Sequence, residues 1–201
     1  MFGSKKFFGG PEESKDERFI VAQLNAKLMP IDRGDVFEDP LDDVLQKGNL
    51  GSVTGGGTMQ AADPSDGIKY IDLEICVQDD GPETQNTIIT ELERLGAPKG
   101  SILRVEETGT EVSFGTFEGL LLSINGTDLS AEVYESSDIN ELIEDLRDAL
   151  GESHAYMGYW QGPKNTDLFF YGPSYESMAE KIQPVRTKYP LCEKSVLKQI
   201  V

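Results

Sequence analysis

An ordered series of matches between the two halves of the chain constrains its fold more than any other feature of the sequence. Four short segments of the first half resemble four of the second, in the same order: IVAQLN with GLLLSIN, PLDDVL with DINELI, DLEIC with DLFFY, and SILR with SVLK. A Gly-Pro pair is also predicted to open the last helix of each half, at 81–82 and at 172–173. This arrangement predicts a tandem duplication of about ninety residues.

Both halves show the same predicted order of strands and helices. In the first half, apolar patterning predicts strands at 19–28, 51–60, 68–77 and 101–107. Residues 29–38 have the composition of a polar loop, after which Asp39 is predicted to cap a short helix with Pro40 at its first position. The order β-α-β-β-α-β is that of the ferredoxin-like split βαβ.

The predicted fold class is therefore α+β, a tandem duplication of ferredoxin-like β-α-β-β-α-β units with antiparallel sheets and helices on one face. The two units could share one long sheet or pack face to face. We predict a flexible tail at 1–18, a first repeat at 19–108 and a second at 109–201, in which 109–118 forms a linking strand. The tail prediction rests on the glycines and proline at 9–11, which break regular structure.

The most regular helical pattern is SDINELIEDLRDALG, at 137–151. Its apolar residues recur at helical spacing and form one stripe: Ile139, Leu142, Ile143, Leu146 and Leu150. Four acids lie on nearly the opposite face: Asp138, Glu141, Asp145 and Asp148. Ser137 is the predicted N-cap and Gly151 the predicted residue just beyond the C-terminal end.

The chain is strongly acidic, with a net charge of −18. This charge argues against direct binding of nucleic acid or of an anionic membrane, because phosphate binding requires clustered Lys and Arg. Six acids and one arginine fall at 32–43, and nine acids and one arginine fall at 128–152. These two acidic segments occupy the same place in the two predicted repeats. The pattern is compatible with a solvated helix face and with a docking surface for a basic partner.

The first functional hypothesis is a non-catalytic acidic protein that binds a basic protein partner, as an inhibitor or immunity-type protein or a polyanion mimic. Its carboxylates would take the positions of phosphates and speed association. The candidate partner-binding residues are Glu38, Asp39, Asp42, Asp43, Glu135, Asp138, Glu141, Asp145, Asp148 and Trp160. Trp160 is included because tryptophan side chains often anchor interfaces.

The second hypothesis is a small-molecule-binding regulatory domain with its site between the two repeats. Its candidate residues are Gly55, Gly56, Gly57, Thr58 and Tyr156. Phosphate loops run from a strand into a helix, whereas these glycines lie inside a strand pattern and no Gly-Lys-Ser/Thr follows. A β-bulge, or close packing against the other repeat, is therefore favoured over a phosphate cradle.

An enzyme of unknown class is the third hypothesis, because no set of catalytic residues is visible. His154 is the single histidine, and a nucleophile would need a base beside it. Cys76 and Cys192 are too far apart to indicate a disulfide framework or a metal knuckle, so we predict buried thiols and neither metal nor cofactor. The absence of a long apolar run or a signal-peptide pattern predicts a cytoplasmic protein.

Overall fold

The computed structural model describes residues 17–63 and 67–201. The predicted tail at 1–18 lies outside the described residues except for its last two, and Arg18 already belongs to the first strand. The first half contains five strands: β1 (Arg18–Leu24), β2 (Gly51–Gln60), β3 (Ile68–Val77), β4 (Ser101–Val105) and β5 (Thr110–Phe114). Its helices are α1 (Pro30–Arg33), α2 (Asp39–Lys47) and α3 (Pro82–Arg94).

The second half repeats this order of elements. Its strands are β6 (Glu118–Asn125), β7 (Ala155–Gln161), β8 (Asn165–Gly172) and β9 (Val196–Gln199). Its helices are α4 (Ala131–Ser136), α5 (Ile139–Leu150) and α6 (Tyr175–Lys188), and a 3-10 turn at Pro190–Cys192 precedes β9.

Two antiparallel sheets result, with strand orders β2-β3-β1-β4-β5 and β7-β8-β6-β9. Apart from β5, both sheets place the first and third strands of their unit in the centre and the second and fourth strands outside them. This is the ferredoxin-like order, so the predicted fold class is confirmed. The sheets are separate, and the units therefore do not share one long sheet.

Each unit packs its helices on one face of its sheet. In the first unit, Leu41, Leu45, Ile88 and Leu92 from α2 and α3 lie against alternate residues of β1, β3 and β4. In the second unit, Leu142, Leu146 and Leu150 pack with β6, β8 and α6, which confirms the central part of the predicted stripe. Fully burying one such leucine contributes about 1.5–3 kcal/mol.

The other face of the second sheet packs against the first unit. Met157, Phe169 and Tyr171 belong to the core of the first unit, while Leu168 and Phe170 face α5 and α6. The second sheet is therefore apolar on both faces, in keeping with the nearly continuous hydrophobic run of β8. The other face of the first sheet carries a mixture of polar side chains, such as Gln23 and Glu74, and apolar ones, such as Phe19.

The structure corrects the prediction of a loop at 29–38. Residues 30–47 are helical throughout, because α1 and α2 are joined by a π-helical turn at Gly34–Glu38, where the Asp39 amide donates to the Gly34 carbonyl. Asp39 is therefore inside a helical run and does not cap it. The segment has a loop-like composition, but Phe37 is fully buried, and its packing outweighs the weak local propensity.

Two helix starts also differ from the predictions. The N-cap of α5 is Asp138, one residue after Ser137, and its carboxylate accepts a hydrogen bond of 2.8 Å from the Asn140 amide. The last helix begins at Tyr175 with Ser174 as its cap, and not at the Gly-Pro pair 172–173. Gly151 ends α5 with a φ of +79°, as its predicted position requires.

Candidate functional site

Most of the predicted acids of the first repeat are bonded within their own unit. Glu38 accepts from Arg33 at 2.5 Å, and Asp43 accepts from Lys47 at 2.8 Å. The Asp42 carboxylate accepts from the Val53 amide at 2.8 Å. Of these three carboxylates, Asp42 links α2 to β2, and the other two bond within the helical run 30–47. The exposed Asp39 is the one predicted acid of this repeat that makes no side-chain hydrogen bond or ion pair to a described residue.

The predicted acids of the second repeat divide in the same way. Asp138 caps α5, and Asp145 accepts from Lys188 at 2.6 Å and from the Tyr189 hydroxyl at 2.8 Å. These two bonds lower the pKa of Asp145, the Lys188 bond having the larger effect. Three exposed acids have no such partner among the described residues: Glu135, Glu141 and Asp148.

Trp160 lies at the contact between the two units. It packs against the core that includes Tyr171, and its indole ring covers Gly67 of the first unit. Its Nε1 is buried and finds no partner in the described part of the chain. The side chain also borders a shallow depression with Met29, Ile31 and Tyr159.

The glycine-rich part of β2 is covered by the helical segment that follows β1. The pairing of β2 with β3 shifts register between Val53 and Gly55, as expected for a bulge. A Cβ on Gly56 would lie 2.7 Å from Glu38 Oε1, and Arg33 donates to the Thr58 hydroxyl at 3.1 Å. Arg33 and Glu38 thus occupy the space beside these glycines.

Tyr156 belongs instead to a cleft between the two units, whose lining does not include the glycines. The cleft has a volume of about 530 Å³, and nine residues line it: Leu28, Asp32, Asp35 and Val36 from the first unit, and Arg147, Tyr156, Met157, Gly158 and Tyr159 from the second. The structure therefore separates the five predicted ligand-binding residues into two places.

A second depression continues from this cleft past Arg147 and Tyr156. Its volume is about 550 Å³, and Glu144, Asp148, Glu152 and His154 contribute to its wall. The two cavities share Arg147 and Tyr156 in their linings, and together we call them the groove. Residues from both acidic segments, at 32–43 and 128–152, line it. Sequence spacing could not reveal this, because it depends on how the units pack.

The groove contains two titratable groups with perturbed pKa values. Burial raises the pKa of Tyr156 to about 12, assisted by Tyr159 and Asp32 and opposed by Arg147. Burial and the charge of Lys181 lower the pKa of His154. Both side chains are therefore neutral at neutral pH, and either is suited to hydrogen bonding without charge.

His154 and the cysteines show no catalytic arrangement in the described residues. His154 Nδ1 lies 3.0 Å from the hydroxyl of the adjacent Ser153. Burial raises the pKa of Cys76, and it raises that of Cys192 to about 11, so both thiols stay protonated. Across 17–63 and 67–201, no group of three or more His, Cys, Asp or Glu side chains could hold a metal ion.

None of the described helices is both long and apolar enough to cross a membrane. No protein-family model matches the chain, and no curated protein matches it in sequence.

Several solved structures resemble the chain weakly. An unknown protein from Galdieria sulphuraria is 12% identical, with 92% of this chain and 100% of that one covered and a TM-score of 0.29. The regulatory subunit of aspartate kinase from Thermus thermophilus is 10% identical, with 85% and 92% covered and a TM-score of 0.27. Chlorite dismutase from Candidatus Nitrospira defluvii is 9% identical, with 91% and 89% covered and a TM-score of 0.29. Similarity at this level identifies no ligand, partner or reaction for this chain.

Proposed function

We propose that the chain is a non-catalytic binding protein whose acidic helices engage a basic protein partner. One observation carries the proposal: the carboxylates of Glu135, Glu141, Glu144 and Asp148 on α4 and α5 have no ion-pair or hydrogen-bond partner among the described residues. We define these four residues as the acidic face. Asp32 and Asp35 of the first unit lie across the groove from α5 and extend the same negative field.

The physical basis is long-range attraction. Carboxylates that no described basic side chain pairs with repel one another, and in a molecule with a net charge of −18 this repulsion costs some stability. A basic partner removes this repulsion and is steered towards the surface before contact. A nuclease-like or nucleic-acid-binding protein has the required basic surface, and the carboxylates would then stand in the positions of phosphates.

The experiment neutralises the acidic face and leaves the bonded acids intact. The test variant carries Glu135→Gln, Glu141→Gln, Glu144→Gln and Asp148→Asn. The control variant changes four exposed acids on other elements: Glu83→Gln, Glu107→Gln, Glu180→Gln and Glu193→Gln. Both variants change the net charge equally, so a difference between them reports the position of the charge.

The partner is isolated from the source cell by pull-down at low salt, and kon is then measured at several salt concentrations. We expect kon of the test variant to fall well below that of the control variant, with a flatter dependence on salt. Equal rates for the two variants at low salt contradict the proposal. A pull-down that yields no basic protein contradicts it as well.

A further inference from the structure

The cleft between the units carries opposite charges on facing walls. Asp32 and Asp35 lie on the wall of the first unit, and Arg147 projects from α5 on the wall of the second. None of these three side chains makes a hydrogen bond or an ion pair with any described residue. The arginine is therefore held apart from the carboxylates, although an arginine between acids ordinarily pairs with one of them.

The backbone of β7 is bent towards this cleft. Its pairing with β8 shifts register between Tyr156 and Tyr159, and Gly158 within the bend has a φ of +97°. Residues three apart on a regular strand point to opposite faces, but here both tyrosines line the cleft. A Cβ on Gly158 would lie 3.4 Å from Asp32 Oδ2, so the glycine lets the backbone approach the carboxylate.

Tyr156 stands between the opposite charges. Asp32, Tyr159 and Arg147 are all near enough to influence its ionisation. Its ring packs against Phe170 with the two centroids 5.2 Å apart, which fixes the orientation of the side chain. The hydroxyl is therefore a positioned, neutral donor and acceptor. Leu28, Val36 and Met157 supply the apolar part of the lining.

We propose that this cleft binds a zwitterionic small molecule of the amino-acid class, with its carboxylate on Arg147 and its ammonium group between Asp32 and Asp35. A guanidinium fork matches a carboxylate with two parallel hydrogen bonds. A purely anionic ligand would face two aspartates and a purely cationic one would face the arginine, whereas a zwitterion satisfies both walls. The volume of about 530 Å³ lies in the usual range for small-molecule sites.

The test is a thermal-shift assay with each of the twenty L-amino acids at millimolar concentration, followed by calorimetry of the strongest. Ligand binding to the native state raises Tm. We expect at least one amino acid to bind. Its methyl ester, which lacks the carboxylate charge, and its N-acetyl derivative, which lacks the ammonium charge, should each bind about tenfold more weakly or worse, as expected for a lost charged hydrogen bond.

Variants assign the two ends of the ligand. In Arg147→Met, the amino acid and its methyl ester should bind with similar affinity. In Asp32→Asn, the difference in affinity between the amino acid and its N-acetyl derivative should become smaller. Arg104→Met and Asp43→Asn, which lie outside the cleft, should bind as the wild type does. Because Arg147 and Asp32 make no hydrogen bond or ion pair to a described residue, urea midpoints of their variants should match the wild type within error.

The inference is overturned if none of the twenty amino acids binds. It is also overturned if the affinity for the bound amino acid is unchanged in both Arg147→Met and Asp32→Asn. Neither result affects the proposed basic partner, because the acidic-face variant retains Arg147, Asp32 and Asp35. Conversely, if the acidic-face variant associates with the partner as fast as the control variant, the proposal of an amino-acid ligand in the cleft is not affected.

Discussion

The hydroxyl of Tyr171 in β8 accepts a hydrogen bond of 2.9 Å from the backbone amide of Lys27, which lies 144 positions earlier in the chain. Tyr171 is fully buried, and this burial raises the pKa of its hydroxyl well above the ordinary value. The bond connects the centre of the second sheet with the segment that follows β1. It therefore links the two units directly.

Tyr171→Phe should destabilise the protein by about 0.5–1.5 kcal/mol, because it removes the hydrogen bond from the partly buried Lys27 amide while nearly preserving the ring volume. The measurement is the free energy of unfolding from urea titration. Tyr159→Phe is the matched control, since the Tyr159 side chain is 53% exposed and its loss of a hydroxyl should change little. Equal stabilities for the two variants would show that the bond does not contribute.

Gly56 and Gly57 are adjacent in β2 but have different surroundings. A Cβ on Gly56 would meet the Asp72 carbonyl and the Arg33–Glu38 pair, whereas a Cβ on Gly57 has nothing within 4 Å. Gly56→Ala should therefore cost about 1–3 kcal/mol, as overpacking typically does, and Gly57→Ala should be tolerated. Urea midpoints of the two variants check this. Similar midpoints would mean that the surroundings of Gly56 have room for a side chain.

The apolar stripe of α5 gives a prediction about the second core. Leu142 and Leu146 are fully buried between the helix and the sheet. Leu142→Ala or Leu146→Ala should each cost about 2–5 kcal/mol, from lost burial and the cavity left behind. Glu141→Ala, on the exposed side of the same helix, is the control. An unchanged denaturant midpoint for the leucine variants would show that the stripe is not packed.

The sequence predicted the strands and the topology well because both depend on local periodicity and on order along the chain. The boundaries of β2 and β3 agree with their apolar and glycine-rich patterns to the residue. The helix from Asp39 was predicted, but the helical segment at 30–38 before it was missed because its composition is that of a loop. Its one buried residue is Phe37, and that burial depends on the fold and not on the local pattern. Packing against residues that are distant in the sequence cannot be predicted from a local sequence pattern.

The candidate sites were less predictable for a related reason. Acid counts located the two charged segments. They could not show that Asp145 pairs with Lys188 from a different helix while Asp148 has no partner among the described residues. In the sequence, Arg147 is simply the one basic residue of the acidic segment 128–152. Its position in the same cleft as Asp32 results from the packing of the two units. The irregularity in β7 that turns Tyr156 and Tyr159 into the same cleft left no signal in the spacing.

The pairing of Asp145 gives a pH-dependent prediction. Hydrogen bonds from Lys188 and then Tyr189 hold the pKa of Asp145 below its ordinary value of 3.8. Because the folded state favours the charged form, the stabilisation is fully present above pH 3.8 and is lost as the pH falls through the lowered folded value. Asp145→Asn should therefore be less stable than wild type at neutral pH, and the difference should shrink in acid.

Asp148→Asn is the control, because Asp148 lies on the same helix and has no partner among the described residues. Its stability should follow that of the wild type across the whole pH range, apart from a small gain from reduced repulsion. The measurement is the urea midpoint of all three proteins at neutral pH and at several values below 3.8. A difference between Asp145→Asn and wild type that stays constant with pH would show that the contribution of Asp145 does not depend on its charge.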